Sequence, residues 1–255
     1  MEPRITILLA NYNYGKYIAS AIESALKQTC SCSLCIVDDC STDDSWEVIH
    51  KTLFKDFPHS KTESEFYSMK SRDKVIAIRL KKNVGPSEAR NCGIELTINN
   101  TDAYLILDAD DEAYPEKAKR LLETMLGCYE QIGAVYADYD VLNTETGNLV
   151  REYKEPFDKL QLLRSCIVHS GSLVNSNALR RVKDEFGYYD RNMRTCEDYC
   201  LWLRISEQFI IFHVPEPLSL VRVTPNNSTA TVSKQIWNQN WQRIRDKYQA
   251  RSKFN

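Results

Sequence analysis

Long hydrophobic runs are missing from this 255-residue sequence. No stretch approaches the roughly 20 apolar residues that cross a bilayer as a helix. Met1-Glu2-Pro3-Arg4 runs straight into a short apolar segment, so no leader peptide is expected. Charge of one sign is missing too. The 33 Lys and Arg face 35 Asp and Glu, a formal net charge of -2, and the pI is about 6.1. That balance excludes a general electrostatic drive toward nucleic acid or an anionic membrane. Internal repeats, low-complexity tracts and linkers rich in Gly, Pro or Ser are absent, so nothing divides the chain. The turn after the first strand lacks a glycine-rich phosphate cradle, which excludes Rossmann and P-loop nucleotide binding.

Cysteine, by contrast, is plentiful. Nine is an odd number, and without a leader the default is reduced thiols in a cytoplasmic protein. Cys30, Cys32, Cys35 and Cys40 are the densest group, but their spacing is not a pair of zinc knuckles and it overlaps a predicted strand. Ordinary buried or loop thiols are expected there. Cys196 and Cys200 lie four apart on a predicted helix, where core packing is expected.

Ile5-Thr6-Ile7-Leu8-Leu9 reads as a strand buried on both faces, because apolar and β-branched residues run without alternation. Ile18, Ala21, Ile22, Ala25 and Leu26 then recur at helical spacing. A second strand ends at Val37-Asp38-Asp39, and Ser41, Thr42 and Asp43 offer capping chemistry to the next helix. Residues from about 55 to 74 are polar and weakly periodic, and read as a surface loop. A third strand (75–80), a helix (87–99) and a fourth strand at Tyr104–Leu107 follow, and Pro115 opens another helix. This alternation implies an α/β fold with a doubly wound, mainly parallel sheet flanked by helices. The second half mixes strands near 134–139, 149–153, 172–174, 210–214 and 219–223 with helices near 159–164 and 197–206. It reads as a smaller mixed sheet. Trp237, Trp241, Ile244 and Tyr248 share one face of a C-terminal helix. Its narrow apolar stripe favours a closing helix packed on the body over peripheral membrane contact.

In a doubly wound sheet, ligands bind at the carboxyl ends of the strands. Three polar clusters fall there: Ala10-Asn11-Tyr12, Asp38-Asp39 and Asp108-Ala109-Asp110. Carboxylates crowded from Asp108 to Glu112 repel one another, and a divalent cation relieves this. Hard oxygen ligands suit Mn²⁺ or Mg²⁺. A helix cap is the competing reading for Asp111 or Glu112. Tyr12 offers a face for nucleobase stacking, and Asp39 can accept from a base N–H. Glu197-Asp198 begins a predicted helix. There the pair either complements the helix dipole or orients and deprotonates an acceptor hydroxyl.

Together these pieces resemble glycosyltransferase family 2, of GT-A fold, from Ile5 to about Thr231. The resemblance rests on Leu9-Ala10-Asn11-Tyr12-Asn13, Val37-Asp38-Asp39-Cys40-Ser41-Thr42-Asp43, Asn83-Val84-Gly85-Pro86-Ser87-Glu88-Ala89-Arg90-Asn91, Leu107-Asp108-Ala109-Asp110-Asp111 and Glu197-Asp198-Tyr199. It implies that Ala10, Asn11, Tyr12 and Ala109 line the nucleotide pocket and that Asp39 reads the base. Asp108 and Asp110 become the metal pair, with Asp110 the direct ligand and Asp111 its rival in a shifted register. Asp198 becomes the general base, Glu197 orients the acceptor, and Arg90 lies beside the nucleotide. The family often carries Arg-x-His beside the diphosphate. Here Arg222-Val223-Thr224 lacks the histidine, leaving Arg222 as the phosphate-facing candidate.

The expected protein is therefore a single GT-A-like unit. Residues about 1–112 form the nucleotide half, about 113–232 the acceptor half and about 233–255 the closing helix. It is expected to be an inverting, Mn²⁺- or Mg²⁺-dependent transferase. It takes a nucleotide diphosphate sugar, with uridine favoured, and a glycan or other hydroxyl acceptor. A sugar nucleotidyltransferase and a non-catalytic relic that binds glycan are the rival readings.

Overall fold

The computed structural model describes residues 3–54, 59–61, 65–70, 73–225 and 227–252. In chain order its elements are β1 (Ile5–Asn11), α1 (Gly15–Leu26), β2 (Cys32–Asp38), α2 (Ser45–Phe54), β3 (His59–Lys61), β4 (Glu65–Lys70), β5 (Asp73–Arg79), α3 (Pro86–Thr97), β6 (Ala103–Asp108), β7 (Glu112–Ala113), α4 (Lys117–Leu126), β8 (Ile132–Asn143), β9 (Leu149–Glu152), α5 (Lys159–Leu162), β10 (Leu173–Asn175), α6 (Ser176–Val182), α7 (Glu197–Ser206), β11 (Ile210–Val223), α8 (Ser228–Thr231) and α9 (Lys234–Ser252).

The eleven strands among the described residues join one sheet, in the order β3-β4-β5-β2-β1-β6-β10-β8-β11-β7, with β9 pairing β8. The strands β5, β2, β1 and β6 are parallel neighbours. The mixed half is continuous with them, because β10 runs antiparallel between β6 and β8. β1 is apolar at successive positions because both its faces are covered. Ile5, Ile7 and Leu9 enter one core with α1, α2 and α4, and Leu8 enters the other with α3, α6, α7 and α9. The close approach of α3 to β1 and β2 depends on Gly93, where a Cβ would sit 2.4 Å from Leu8 Cδ1 and 3.1 Å from Val37 Cγ2.

Two expectations change. The polar stretch near 55–74 contains β3 and β4, which add antiparallel strands to β5 at the sheet edge. An edge pair is held by backbone bonds and needs no apolar periodicity. The loop reading at 55–58, 62–64 and 71–72 lies outside the described residues. The strands expected near 210–214 and 219–223 are one strand, β11. Its register against β8 shifts on both sides of Pro217, where proline cannot donate to the ladder.

Helix α9 closes the second core. Ile244 and Tyr248 are buried, and Trp237 and Trp241 pack beside them. Arg243 and Lys247 reach back to Asp190 and Asp184 at 3.4 Å and 4.0 Å, so the apolar stripe and part of the basic face are used on the body. Among the described residues, no helix is long and apolar enough to cross a membrane. The cysteines there are free thiols. Cys35, Cys196 and Cys200 are buried, and Cys30 and Cys32 hold their sulfurs 3.7 Å apart.

Candidate active site

The parallel register brings the carboxyl ends of β1, β2 and β6 level: Asn11 pairs with Asp38, and Ala10 with Val37 and Asp108. Here the two adjacent aspartates separate in role. Asp38 is fully buried. It accepts from Asn11 Nδ2 at 2.7 Å and from Ser41 Oγ at 2.6 Å, with Arg79 Nε 3.5 Å away. It holds the loop. Asn13, at φ 60°, accepts from the Thr42 amide at 2.7 Å and ties the first loop to the second. Asp39 accepts from the Val84 and Gly85 amides, each at 2.8 Å. Gly85 presents its N–H from φ 92°, a conformation that favours glycine. Burial raises the Asp39 carboxyl above its ordinary range, against the pull of those two amides. Tyr12 is 42% exposed at the same rim, so its ring is open to a ligand.

The run after β6 forms the second wall. Arg90, on α3, is nearly buried and splits its guanidinium between two acids. Nη1 donates to Glu197 Oε1 at 2.7 Å and Nη2 to Asp108 Oδ1 at 2.8 Å. Burial opposes its charge, but Asp108 and Glu197 raise its proton affinity further. Asp108 is half-buried, and Arg90 and Ser170 hold its carboxyl below the usual range against the desolvation of the wall. Among the described residues, Asp110 and Asp111 have no such cation in direct contact. Asp110 accepts from Asn227 Nδ2 at 2.8 Å, and burial beside Asp108 pushes it up to about 7. Asp111 accepts from the Arg222 amide at 2.9 Å and is raised by burial and by its two acidic neighbours. The Arg222 guanidinium donates to the Asp110 carbonyl at 2.8 Å and to the Glu112 carboxylate, and lies over the Tyr17 ring. Ala109 is buried between the acids.

Helix α7 begins after Cys196, which adopts φ 60°, a strained conformation for a residue with a side chain. Cys40, next to Asp39, does the same at φ 59°. The two turns flank Asp39 and the Glu197-Asp198 pair. Asp198 accepts from the Tyr199 amide at 2.7 Å, and burial together with Glu197 pushes it up to about 7. The sequence-predicted residues thus fall into three groups along one edge. Asn11, Tyr12 and Asp39 form the first. Arg90, Asp108, Glu197 and Asp198 form the second, and Asp110, Asp111 and Arg222 the third.

Sequence reasoning missed four contributors. Ser170 donates to Asp108 Oδ2 at 2.9 Å, and Asn227 holds Asp110. Lys117, 1% exposed, donates to Ser219 Oγ at 2.8 Å, and burial lowers it to about 8 while Asp111 and Asp108 pull it upward. His169 completes the set. None of these belongs to a spaced motif. Lys117 alone left a signal, a charge on an otherwise core-facing helix start.

This architecture defines a GT-A glycosyltransferase fold. S. aureus TarS in complex with UDP-GlcNAc superposes with a TM-score of 0.67 at 16% identity, over 90% of this chain and 61% of that one. The chain belongs to glycosyl transferase family 2, whose model matches residues 6–184. An uncharacterized glycosyltransferase of Rickettsia felis is 28% identical over 235 residues, covering 89% of this chain and 34% of that protein. The chain thus spans about a third of that relative's length. The UDP-Glc:alpha-D-GlcNAc-diphosphoundecaprenol beta-1,3-glucosyltransferase WfaP of Escherichia coli is 27% identical over 208 residues, covering 81% of this chain and 71% of WfaP.

Proposed function

We propose that the chain catalyses inverting transfer of a sugar from a nucleotide diphosphate donor, UDP-sugar favoured, to a glycan hydroxyl. The observation that carries this reading is the Asp108–Arg90–Glu197 chain of charged bonds. It ties the acidic end of β6 to the start of α7, and so fixes Asp198 relative to Asp110. Asn11, Tyr12 and Asp39 take the nucleoside, and residues about 1–112 form that half. Asp198 then removes the acceptor hydroxyl proton as the oxygen attacks the anomeric carbon. The bond to the diphosphate breaks on the opposite face, and the nucleoside diphosphate leaves. Relatives support the class of substrate: WfaP is named for a UDP-glucose donor and a lipid-diphosphate-linked sugar acceptor, and TarS holds UDP-GlcNAc. A screen of nucleotide sugars for donor hydrolysis and transfer tests the reading. Release of pyrophosphate from a nucleoside triphosphate and a sugar phosphate would identify a nucleotidyltransferase instead. Nucleotide binding without any turnover would leave a glycan-binding relic.

The residues fit a divalent cation that shares its shell with the donor. Among the described residues, no group of three or more His, Cys, Asp or Glu converges on one point. The protein therefore supplies one or two carboxylate arms, and Mn²⁺ and Mg²⁺ accept such a set when phosphate oxygens and water complete it. Asp110 is the better arm, since the charge of Asp108 is already paired with the Arg90 guanidinium at 2.8 Å. When bound, the ion offsets charge on the departing diphosphate. Excess chelator is expected to abolish transfer, with recovery on adding Mn²⁺ or Mg²⁺. Asp110→Ala is expected to weaken metal-linked donor binding more than Glu112→Ala, because Glu112 is paired with Arg222. Full activity in chelator, or equal effects of the two substitutions by calorimetry, would remove this role.

Asp39 retains accepting capacity beyond its two amide partners, since each carboxylate oxygen takes two hydrogen bonds. A uracil N–H fits that capacity beside Tyr12. UDP is expected to bind more tightly than GDP or CDP. Asp39→Ala should narrow the preference by the roughly 1–3 kcal/mol that an unmet buried group costs. Titration calorimetry with the three nucleotides is the check, and tighter GDP binding by the unmodified protein would refute the uridine assignment.

A further inference from the structure

His169 precedes Ser170 in the segment between α5 and β10, so it stands one residue from the hydroxyl that holds Asp108. Its imidazole lies against the Tyr139 ring, with centroids 4.2 Å apart. The Gly171 amide donates to Nδ1 at 3.1 Å. That bond needs a lone pair on Nδ1, so the ring is neutral and its proton sits on Nε2. The surroundings agree: burial and the nearby cations of Lys117 and Lys154 lower the ring to about 3, against the opposing pull of Asp108. Gly171 is what allows this crowding. A Cβ there would sit 3.0 Å from the ring and 3.1 Å from Lys117 Nζ.

The consequence is an N–H donor of fixed tautomer. Among the described residues Nε2 has no hydrogen-bond partner, and His169 is half-buried rather than sealed in the core. In a half-buried ring of fixed tautomer, this N–H is left to a water or to a ligand that displaces it. The location says which ligand. Asp110 is held by Asn227 and Arg222, from the end of β11 onward, whereas Asp108 is held from the His169–Ser170 side. Through Ser170 the His169 segment reaches Asp108, which Arg90 links to Glu197 and so to the side of the base, where the attacking sugar must be.

We infer that His169 orients the acceptor: its Nε2–H donates to a hydroxyl of the acceptor saccharide, with Tyr139 backing the ring. This rests on the transferase reading above. Two isosteric substitutions separate orientation from mere bracing. In His169→Gln the amide nitrogen overlays Nε2 and keeps the donor, while the Nδ1 acceptor is lost. In His169→Asn the amide oxygen overlays Nδ1 and keeps the Gly171 bond, while the outward donor is lost. The experiment measures acceptor KM and kcat for the full chain with the donor that the screen identifies, and UDP binding by calorimetry. His169→Asn is expected to raise acceptor KM by about fivefold to tenfold, the worth of one neutral hydrogen bond. His169→Gln should stay within about threefold, and UDP affinity should be unchanged in both. The reverse order, with His169→Gln the impaired variant, would show that the ring only braces Gly171 and would overturn the inference. So would two variants with unaltered KM, or two that lose UDP binding. Absence of transfer by the unmodified chain would instead reject the transferase reading, and this inference with it.

Discussion

Asp198→Asn is expected to lower single-turnover transfer by about 10²–10⁴ while leaving UDP affinity intact. The amide keeps the shape of the side chain and can still accept from the Tyr199 amide, the bond made at 2.7 Å by the aspartate. It cannot take a proton. Because the base acts on the acceptor alone, donor binding gives the control for folding. Glu197→Gln should be milder in kcat, since that carboxylate is occupied by Arg90. The pH dependence carries the same signature. Burial and Glu197 push Asp198 up to about 7, and only its deprotonated form accepts the hydroxyl proton. Transfer should therefore climb as pH rises through about 7, and this limb should vanish in the asparagine variant. Linkage gives a second readout with the opposite sign. A carboxyl whose folded-state pKa is raised binds its proton more tightly when folded, so it destabilises the native state above that pKa. Asp198→Asn should thus gain a few degrees in Tm above pH 7 and nothing near pH 4. Product NMR should show the inverted anomer. Near-normal transfer by Asp198→Asn would take this residue out of the mechanism, and a retained anomer would reject single displacement itself.

The parallel half of the sheet was legible because its strands are buried on two faces and so write themselves as unbroken apolar runs, β1 most plainly. The convergence of Asn11, Asp39 and Asp108 followed from parallel topology alone. The edge pair of β3 and β4 was not legible, because such strands are held by backbone bonds that leave no apolar pattern. β11 read as two strands because Pro215 and Pro217 interrupt it, and a sequence does not say whether a proline ends a strand or sits at a bulge. Among the site residues, types and strand ends were readable but partners were not. Nothing near Arg90 in sequence names Glu197, which is 107 residues away. Ser170 and His169 act through a turn whose geometry has no fixed residue code. Lys117 is an internal cation, which composition counts as surface.

Arg90→Met is expected to be the most destabilising single change at this edge, by about 3–5 kcal/mol at neutral pH. The guanidinium sits between Asp108 and Glu197 with its own side chain 10% exposed and theirs 27% and 12% exposed. Removing it does not only delete two bonds. It leaves two carboxylates in a desolvated wall that already contains Asp110, Asp111 and Asp198, each with proton affinity raised by burial and neighbouring acids. Arg90→Lys should lie between, because a point charge cannot serve two acids as a planar fork does. The pH dependence follows from Asp108. In the unmodified chain its carboxyl is held below the usual range, so its contribution is present above the unfolded-state pKa of about 4 and is lost as pH falls through the folded value. Without Arg90 the shift reverses. The deficit of Arg90→Met should then be largest at neutral pH and shrink on acidification, first as the stranded acids take up protons above about pH 4 and then as the unmodified chain loses the Asp108 contribution below it. Adding Glu197→Gln to Arg90→Met should recover part of the loss, because one stranded charge is gone. Denaturant titrations at neutral and acid pH measure all of this. A deficit below about 1 kcal/mol at neutral pH, or one that does not vary with pH, would mean that the arginine is not the counter-charge of this wall.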